Sequence, residues 1–292
     1  MTRDKQQTMI DHELKTCCES DCQIDDEMVS LSNGVSLRLI TFRPVQKSHL
    51  PSVVFIAGWV SRIESWQNVL REMTKDFVVY YVETREKNSS KVPKNANFNV
   101  NIIGDDIIQL IDILGLQEKQ YLLFGSSLGA TVIIECYSRL KLKPCCLTLV
   151  APNAEFRMPI IWKLIITFFY PPFYFILKPW VKWYLRCFRL NIKKDSAQYE
   201  KYCRALDGAD PFKLKPAALA FSRYQIWNVL SLIDTPVLLI GGSHDKLHEP
   251  ENLRRITEIL PVVQYVDLEI NSRTHTAEVV TVLRQFIHQW AS

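Results

Sequence analysis

A serine near the middle of the chain has the surroundings that a nucleophile needs. Residues 125–129 read GSSLG, which fits the pattern G-x-S-x-G with Ser127 at its centre. The motif follows an apolar run and opens a helix-length stretch, which puts Ser127 on a sharp turn from strand to helix. Gly125 and Gly129 must be small there because the helix passes close to the strand. The pattern predicts a catalytic serine; the alternative is an ordinary tight turn.

A serine hydroxyl attacks only when a base removes its proton, and the base needs a carboxylate that fixes its tautomer. Four histidines follow the motif: His244, His248, His275 and His288. His275 lies in a polar loop, residues 271–276, between an apolar run and the last amphipathic stretch. From such a loop a side chain can reach over the edge of a sheet. We therefore predict that His275 is the base; the alternative is a solvent-exposed loop histidine.

The candidate carboxylate is Asp245, which follows an apolar run at residues 236–241. Open α/β sheets bind ligands at the carboxyl ends of their strands, where Asp245 would emerge. The alternative role for Asp245 is to cap the helix expected at residues 250–260. The rival carboxylates are Glu251 and Glu155.

The elements around these residues predict a parallel sheet. Short unbroken apolar runs occupy residues 53–57, 77–82, 121–124, 146–150 and 237–240, which is typical of strands covered on both faces. Amphipathic stretches at residues 102–114, 128–140 and 276–290 alternate with them. Residues 28–31 and 35–42 flank Ser-Asn-Gly, which predicts a hairpin. The order indicates a doubly wound α/β sheet.

One segment, residues 155–228, contains no convincing core strand and indicates an insertion. Residues 162–188 hold 11 of the chain's 32 aromatic residues. Residues 159–190 carry five basic residues and no acidic one. Basic residues among aromatic ones are typical of a surface that lies on an anionic bilayer. The interpretation that we favour is that the aromatic residues line a pocket and pack on the core, with contact to a bilayer as the first alternative. The second alternative is a membrane span, which the prolines at 171, 172 and 179 disfavour.

The order Ser127, Asp245, His275, together with residues 53–59 (VVFIAGW) and 242–245 (GSHD), resembles the α/β-hydrolase superfamily over about residues 28–290. The resemblance implies a mostly parallel eight-stranded sheet with a helical cap after strand 6, here residues 155–228. The core would then be residues 25–154 and 229–292. The resemblance also implies an oxyanion hole made by the backbone N–H groups of Leu128 and Trp59.

Two features depart from that superfamily. Ala57 stands where a histidine that braces the oxyanion loop is usual, and residues 83–90 lack the glycines of the common turn. A serine nucleophile argues against the dehalogenase and epoxide hydrolase members, which use an aspartate. The departures leave the three candidate catalytic residues untouched.

Composition limits the remaining possibilities. The chain has 292 residues, 48% of them hydrophobic, which is too apolar for a disordered protein. The net charge of +4 is too small to predict nucleic-acid binding. Eight cysteines and the absence of an apolar stretch near the N-terminus predict a reduced, cytoplasmic chain. Residues 1–24 are expected to be a polar, partly ordered tail. Their cysteines with His12 do not make a convincing zinc site, so no metal or cofactor is expected.

These features predict a serine hydrolase that cleaves a hydrophobic carboxylic ester, such as a monoacylglycerol-like lipid, with peripheral membrane contact through the cap as an open alternative. An acyl chain gains about 0.8 kcal/mol for each buried methylene, which suits an aromatic-rich pocket. An acyltransferase, a thioesterase or a C–C hydrolase would use the same residues. A catalytically silent lipid-binding protein of the same fold is the alternative from another class.

Overall fold

An eight-stranded sheet runs through the core and orders the rest of the molecule. The computed structural model describes residues 13–46, 48–156, 158, 160–168, 170–190, 192–193, 195–245, 248 and 250–290. The strands are β1 (Gln23–Ser30), β2 (Ser36–Arg43), β3 (Ser52–Ile56), β4 (Val79–Glu83), β5 (Tyr121–Ser126), β6 (Leu147–Val150), β7 (Val237–Gly241) and β8 (Val263–Asp267). Their order in space is β1-β2-β4-β3-β5-β6-β7-β8.

Most of the sheet is parallel, as the unbroken apolar runs predict. β1 and β2 form an antiparallel hairpin in which Ser30 pairs with Ser36, and β2 pairs antiparallel with β4. The hairpin turn places Gly34 at φ +78°, a backbone conformation that favours glycine. The strands β4, β3, β5, β6, β7 and β8 are parallel to one another. Their carboxyl ends therefore meet at one edge of the sheet.

The helices long enough to name are α1 (Gln67–Met73), α2 (Val100–Ile113), α3 (Leu128–Cys136), α4 (Ile160–Phe168), α5 (Tyr174–Tyr184), α6 (Ser196–Gly208), α7 (Pro211–Phe221), α8 (Pro250–Ile259) and α9 (Glu278–Trp290). Helices α2, α3 and α8 cover one face of the sheet. Helices α1 and α9 cover the other.

Two apolar clusters, one on each face, explain why the strands read as continuous apolar runs. In β3, Val54 and Ile56 belong to the cluster under α2 and α3. The alternate residues, Val53 and Phe55, belong to the cluster under α1 and α9. Successive side chains of a strand point to opposite faces, so a strand covered on both sides must be apolar throughout.

The segment between β6 and β7 is helical and includes α4, α5, α6 and α7. An isolated bridge pairs Glu155 with Gln225. This bridge lies close to both ends of the stretch predicted to be an insertion, residues 155–228, and we keep the name "the insertion" for that stretch. A π-helical turn, Leu185–Arg189, extends α5.

The end of the predicted tail is more ordered than its polarity indicates. Leu14, Cys17 and Cys18 are buried in the cluster under α1 and α9. β1 begins at Gln23, within the predicted tail. His12 and the residues before it lie outside the described part of the chain. All eight cysteines are free thiols, so the cysteines at 17, 18 and 22 close no disulfide.

Candidate active site

The turn between β5 and α3 holds Ser127 in a strained conformation. Ser127 has φ +51° and ψ −115° and is the residue before α3. A Cβ on Gly129 would lie 1.9 Å from the Ile56 carbonyl oxygen, and one on Gly125 would lie 2.6 Å from the backbone nitrogen of Ala130. Only glycine fits at these two positions, since contacts this short are excluded sterically. The tight fit raises Ser127 at the carboxyl edge of the sheet, where a substrate can reach it.

A chain of two hydrogen bonds links Ser127 to a buried carboxylate. The Oγ of Ser127 lies 3.0 Å from Nε2 of His248, and Nδ1 of His248 lies 2.9 Å from Oδ2 of Asp245. The side chains of His248 and Asp245 are only 3% and 2% exposed. An ionised Asp245 accepts only, so it assigns the proton to Nδ1 and leaves Nε2 free to accept from the serine. The arrangement allows proton removal from Ser127.

The histidine hydrogen-bonded to Ser127 is His248, whereas the sequence predicts His275 as the base. In the structure His275 makes no hydrogen bond to Ser127 among the contacts of the described residues. Its ring stacks on Trp66 at a centroid distance of 4.1 Å. Its Nδ1 lies 3.2 Å from the carbonyl oxygen of Asn271, and its Nε2 lies 3.2 Å from Nζ of Lys201. Both ring nitrogens are therefore engaged elsewhere.

Burial shifts the pKa values of the pair formed by His275 and Lys201. The pKa of His275 lies well below its ordinary value because the ring is desolvated and the Lys201 ammonium lies beside it. Burial also lowers the pKa of Lys201 to about 8, against the opposing attraction of Asp245 and Asp195. His275 is thus neutral at neutral pH, with its Nδ1 proton directed at Asn271.

Asp245 has two further partners that the sequence analysis does not identify. Gln198 of α6 donates to Oδ1 at 3.1 Å, and Asn271 donates to Oδ2 at 2.9 Å. Gln198 lies 47 positions before Asp245 and belongs to the insertion. The insertion therefore takes part in holding the carboxylate. No local sequence motif predicts the contact between Gln198 and Asp245, because it depends on how α6 packs against the core.

A second side chain contacts Ser127 directly. Nδ2 of Asn153, in the loop after β6, lies 2.9 Å from Oγ of Ser127. The backbone carbonyl of Asn153 accepts from the hydroxyl of Thr131 in α3, which holds the loop in place. Ser127 can thus donate to His248 while it accepts from Asn153. The position of Asn153 after a core strand is the only sequence signal that could have found it.

The backbone groups expected to form the oxyanion hole belong to Leu128, which follows Ser127, and to Trp59, whose neighbour Gly58 packs on Ser127. Leu128 is the first residue of α3, so its N–H has no acceptor within the helix. Gly58, the residue before Trp59, lies so close that a Cβ on it would be 3.1 Å from the Cβ of Ser127. The indole of Trp59 packs between Phe156 and Phe221 of the insertion. The loop that carries Trp59 is therefore near the nucleophile and fixed by its side chain.

Lys87 braces that loop in the absence of the usual histidine at Ala57. The Nζ of Lys87 donates to the carbonyl oxygens of Gly58 at 2.5 Å and Ser61 at 2.7 Å. Burial lowers the pKa of Lys87, and the neighbouring Glu86 opposes that shift. The two departures from the superfamily pattern are therefore connected in space. The turn at residues 83–90, which lacks the usual glycines, supplies Lys87, and Lys87 supports the loop that follows Ala57.

The remaining candidates from the sequence are not part of the hydrogen-bonded chain from Ser127 through His248 to Asp245. Glu251 is 73% exposed and pairs with Arg254 on the surface of α8. Glu155 forms the bridge near the ends of the insertion and also lines the cavity that contains Ser127. His244 and His288 are exposed. Among the described residues, no group of three or more His, Cys, Asp or Glu side chains is placed to hold a metal ion.

A cavity of about 380 Å³ joins these groups to the insertion. Its apolar wall includes Ile166 of α4, Leu177 and Val181 of α5, and Leu214 of α7. Its polar end holds Ser127, His248, Asn271, His275 and Lys201. An apolar cavity with a few convergent polar groups is typical of a small-molecule site.

Comparison with solved structures identifies the fold. A hydrolase from Pseudomonas aeruginosa PA01 superposes with a TM-score of 0.73 at 17% identity, covering 91% of this chain and 98% of that chain. A thermophilic esterase from Thermogutta terrifontis gives 0.70 at 19%, covering 92% and 100%. A membrane phospholipase A, a bacterial virulence factor, gives 0.70 at 15%, covering 97% and 90%. The chain has the α/β-hydrolase fold.

The likeness lies in the fold rather than in the sequence. No protein-family model matches the sequence, and no curated protein matches it either. The predicted α/β-hydrolase fold, with its mostly parallel eight-stranded sheet, is confirmed by the solved structures, while the reaction has to be argued from the site.

Proposed function

We propose that this protein is a serine hydrolase that cleaves a hydrophobic carboxylic ester through an acyl-enzyme. The observation that carries the proposal is the hydrogen-bonded chain from Ser127 through His248 to Asp245, at the polar end of an apolar cavity. Nucleophile, base and orienting carboxylate are each within hydrogen-bond distance of the next, which is the geometry that acyl transfer needs. The proposal takes His248 as the base instead of the predicted His275.

The reaction proceeds in two halves. Nε2 of His248 takes the hydroxyl proton of Ser127 as Oγ attacks the ester carbonyl carbon. The tetrahedral intermediate collapses, the imidazolium gives its proton to the leaving alcohol, and Ser127 carries the acyl group. A water molecule then gives a proton to His248 and its oxygen to the acyl carbon. The acid leaves and the proton returns to Oγ.

Two sets of charges stabilise this path. Asp245 offsets the positive charge that His248 acquires, and the N–H groups of Leu128 and Trp59 face the negative charge on the former carbonyl oxygen. Removal of one such donor costs about 10²- to 10³-fold in kcat in other serine enzymes. The contacts of Lys87 with Gly58 and Ser61 support the loop that supplies one donor.

The insertion supplies the substrate preference. As a cap it would roof the site, with Ile166, Leu177 and Val181 as the wall for an acyl chain. Each methylene that enters such a wall gains about 0.8 kcal/mol, or about fourfold in kcat/KM when the gain is kept in the transition state. We expect kcat/KM for p-nitrophenyl esters to rise from acetate to medium-chain esters and to level off when the cavity is filled.

A fluorophosphonate probe tests the nucleophile. The wild-type chain should be labelled at Ser127, and Ser127→Ala should abolish both labelling and ester hydrolysis, the latter by at least about 10⁴-fold. Ser138→Ala, an exposed serine after α3, is the matched control and should keep both. Equal labelling of the wild type and Ser127→Ala would contradict the proposal.

Product analysis separates hydrolysis from acyl transfer. In the presence of an alcohol acceptor, a hydrolase should release mainly free acid, whereas a transferase should form mainly new ester. Failure to turn over any chain length, with saturable lipid binding intact, would instead favour a catalytically silent lipid-binding protein.

A further inference from the structure

The outer surface of the insertion is unusually apolar for a surface in contact with water. Large apolar side chains on α4 and α5 are exposed, with Phe168 at 85%, Ile176 at 66% and Trp180 at 64%. We define the docking face as six exposed residues of these helices: Ile161, Leu164, Phe168, Ile176, Trp180 and Trp183. Single exposed apolar residues are ordinary, but a group of this size on two consecutive helices marks an interaction surface.

Helix α5 is apolar on two of its faces. Leu177, Val181 and Tyr184 are spaced i, i+4, i+7 and line the cavity. Ile176, Trp180 and Trp183 have the same spacing, one position earlier, and are exposed. The cavity accounts for the first stripe. Within the second stripe Trp183 meets Trp180 and the neighbouring Phe188 edge-on, yet Ile176, Trp180 and Trp183 stay 52–66% exposed. A helix that is apolar on most of its circumference belongs in an apolar environment.

The charges beside the docking face favour one kind of partner. Residues 159–190 contain Lys163, Lys178, Lys182, Arg186 and Arg189, and they contain no acidic residue. Asp207 of α6 pairs with Lys178 and Lys182, Arg189 lines the cavity, and Arg186 is exposed. Aromatic residues with surrounding cations match the interface of an anionic bilayer, where the rings enter the headgroup region and the cations meet the lipid phosphates.

We propose that the docking face binds the surface of an anionic lipid bilayer, with α4 and α5 lying in the plane of the interface. None of the described helices is long and apolar enough to cross a membrane, and α4 has only nine residues. The first stripe of α5, Leu177, Val181 and Tyr184, would then place the cavity directly above the lipid. This location adds a source of substrate to the proposed ester hydrolysis, while the docking itself needs no catalysis.

Vesicle flotation tests the docking, with the Ser127→Ala chain used so that hydrolysis cannot alter the lipid. Vesicles of phosphatidylcholine mixed with phosphatidylglycerol should float the protein, and vesicles of phosphatidylcholine alone should float it at least about tenfold less. The bound fraction should fall as salt is raised, since screening weakens the contribution of the cations.

Variants on the face test its location. Trp180→Ser with Trp183→Ser should lower vesicle binding by about tenfold or more, and Arg186→Glu should lower it on the anionic vesicles. Two matched controls should bind as the parent does. The first is Ile113→Ser on α2, since Ile113 is 52% exposed, as is Trp183 on α5. The second is Lys91→Glu, which replaces an exposed lysine of the core.

Two outcomes would overturn the inference. One is equal flotation of the parent and the double tryptophan variant. The other is a dimer in light scattering that the same variant converts to a monomer while flotation stays unchanged, which would assign the face to a second copy of the chain. The proposed function is tested separately by hydrolysis of a soluble short-chain ester. The Trp180→Ser, Trp183→Ser variant with Ser127 intact is used for this measurement.

Discussion

Asp245 is the residue on which the site depends most at the scale of single side chains. Its two oxygens lie within hydrogen-bond distance of His248, Asn271 and Gln198. In the proposed mechanism this carboxylate fixes the tautomer of His248, offsets the charge of the imidazolium and does not itself take the proton.

Asp245→Asn should therefore lower kcat by about 10⁴-fold with little change in KM, because an amide can donate to Nδ1 and reverse the tautomer. Steady-state kinetics on a p-nitrophenyl ester measure the effect. Asp112→Asn, a partly exposed aspartate on α2 that pairs with Lys141, is the control and should match the wild type. A variant that keeps more than about a tenth of wild-type kcat would exclude Asp245 from this role.

His275 should reveal its buried, neutral state through the pH dependence of stability. Its native pKa lies well below the ordinary 6.5, because of burial and of Lys201. Below about pH 6.5 the unfolded chain binds a proton that the native chain does not, so stability falls as the pH falls. When the pH is lowered from about 7 to about 5, the unfolding free energy should fall in the wild type. In His275→Gln the fall should be smaller by about 1–2 kcal/mol.

Urea unfolding at the two pH values checks this expectation. His288→Gln, which replaces an exposed histidine of α9, should lose as much stability as the wild type. Equal losses for the wild type and His275→Gln would show that His275 is protonated in the native state.

At the scale of elements, the turn after β4 takes over a role that a histidine has in the superfamily that the sequence resembles. Lys87 of this turn binds the carbonyl oxygens of Gly58 and Ser61, and Lys213 of α7 in turn binds the carbonyl oxygens of Lys87 and Ser90. Core and insertion thus both fix the loop that carries Trp59. Loss of this support should disturb transition-state stabilisation more than substrate binding.

Lys87→Met should accordingly lower kcat by about 10- to 100-fold and leave KM close to its wild-type value. Thermal unfolding should be measured alongside, and Lys91→Met, the exposed lysine of the same segment, serves as the control. An unchanged kcat in a folded Lys87→Met chain would mean that the loop needs no brace.

Elements also mark the limit of what the sequence could predict about the site. The position of Ser127 on a tight turn was predictable, because the close packing of the strand and the helix there requires glycine at positions 125 and 129. Asp245 was proposed because it follows the end of a strand, whereas the oxyanion loop was only implied by the α/β-hydrolase resemblance. Gln198 and Lys201 were not predictable, since packing of α6 alone brings them to the site from the insertion.

His248 shows the same limit within a single loop. His248 and His275 both follow the motif in sequence, and spacing favoured the loop after β8. The structure instead places His248 three residues after Asp245, with one ring nitrogen on the carboxylate and the other on Ser127. Side-chain direction in a short irregular loop is set by tertiary contacts that sequence periodicity does not report.

At the scale of the whole molecule, hydrophobic pattern was enough to predict the architecture. The unbroken apolar runs became the parallel strands β3 to β7, because a sheet covered on both faces tolerates no polar alternation. The order of the strands in space does not follow from periodicity, and the sequence predicted only that the sheet has eight strands and is mostly parallel. Many sequences satisfy these patterns, which is consistent with identities of only 15–19% to the three structures compared.

The central claim, that Ser127, His248 and Asp245 act together, is tested most directly by replacing the two histidines in parallel. Hydrolysis of a p-nitrophenyl ester and fluorophosphonate labelling should be measured for His248→Gln and His275→Gln, with circular dichroism to show that both fold. We predict that His248→Gln loses about 10⁴-fold in kcat/KM and labels very slowly, and that His275→Gln stays within about threefold of the wild type. The reverse result, with His275→Gln inactive and His248→Gln active, would contradict the claim.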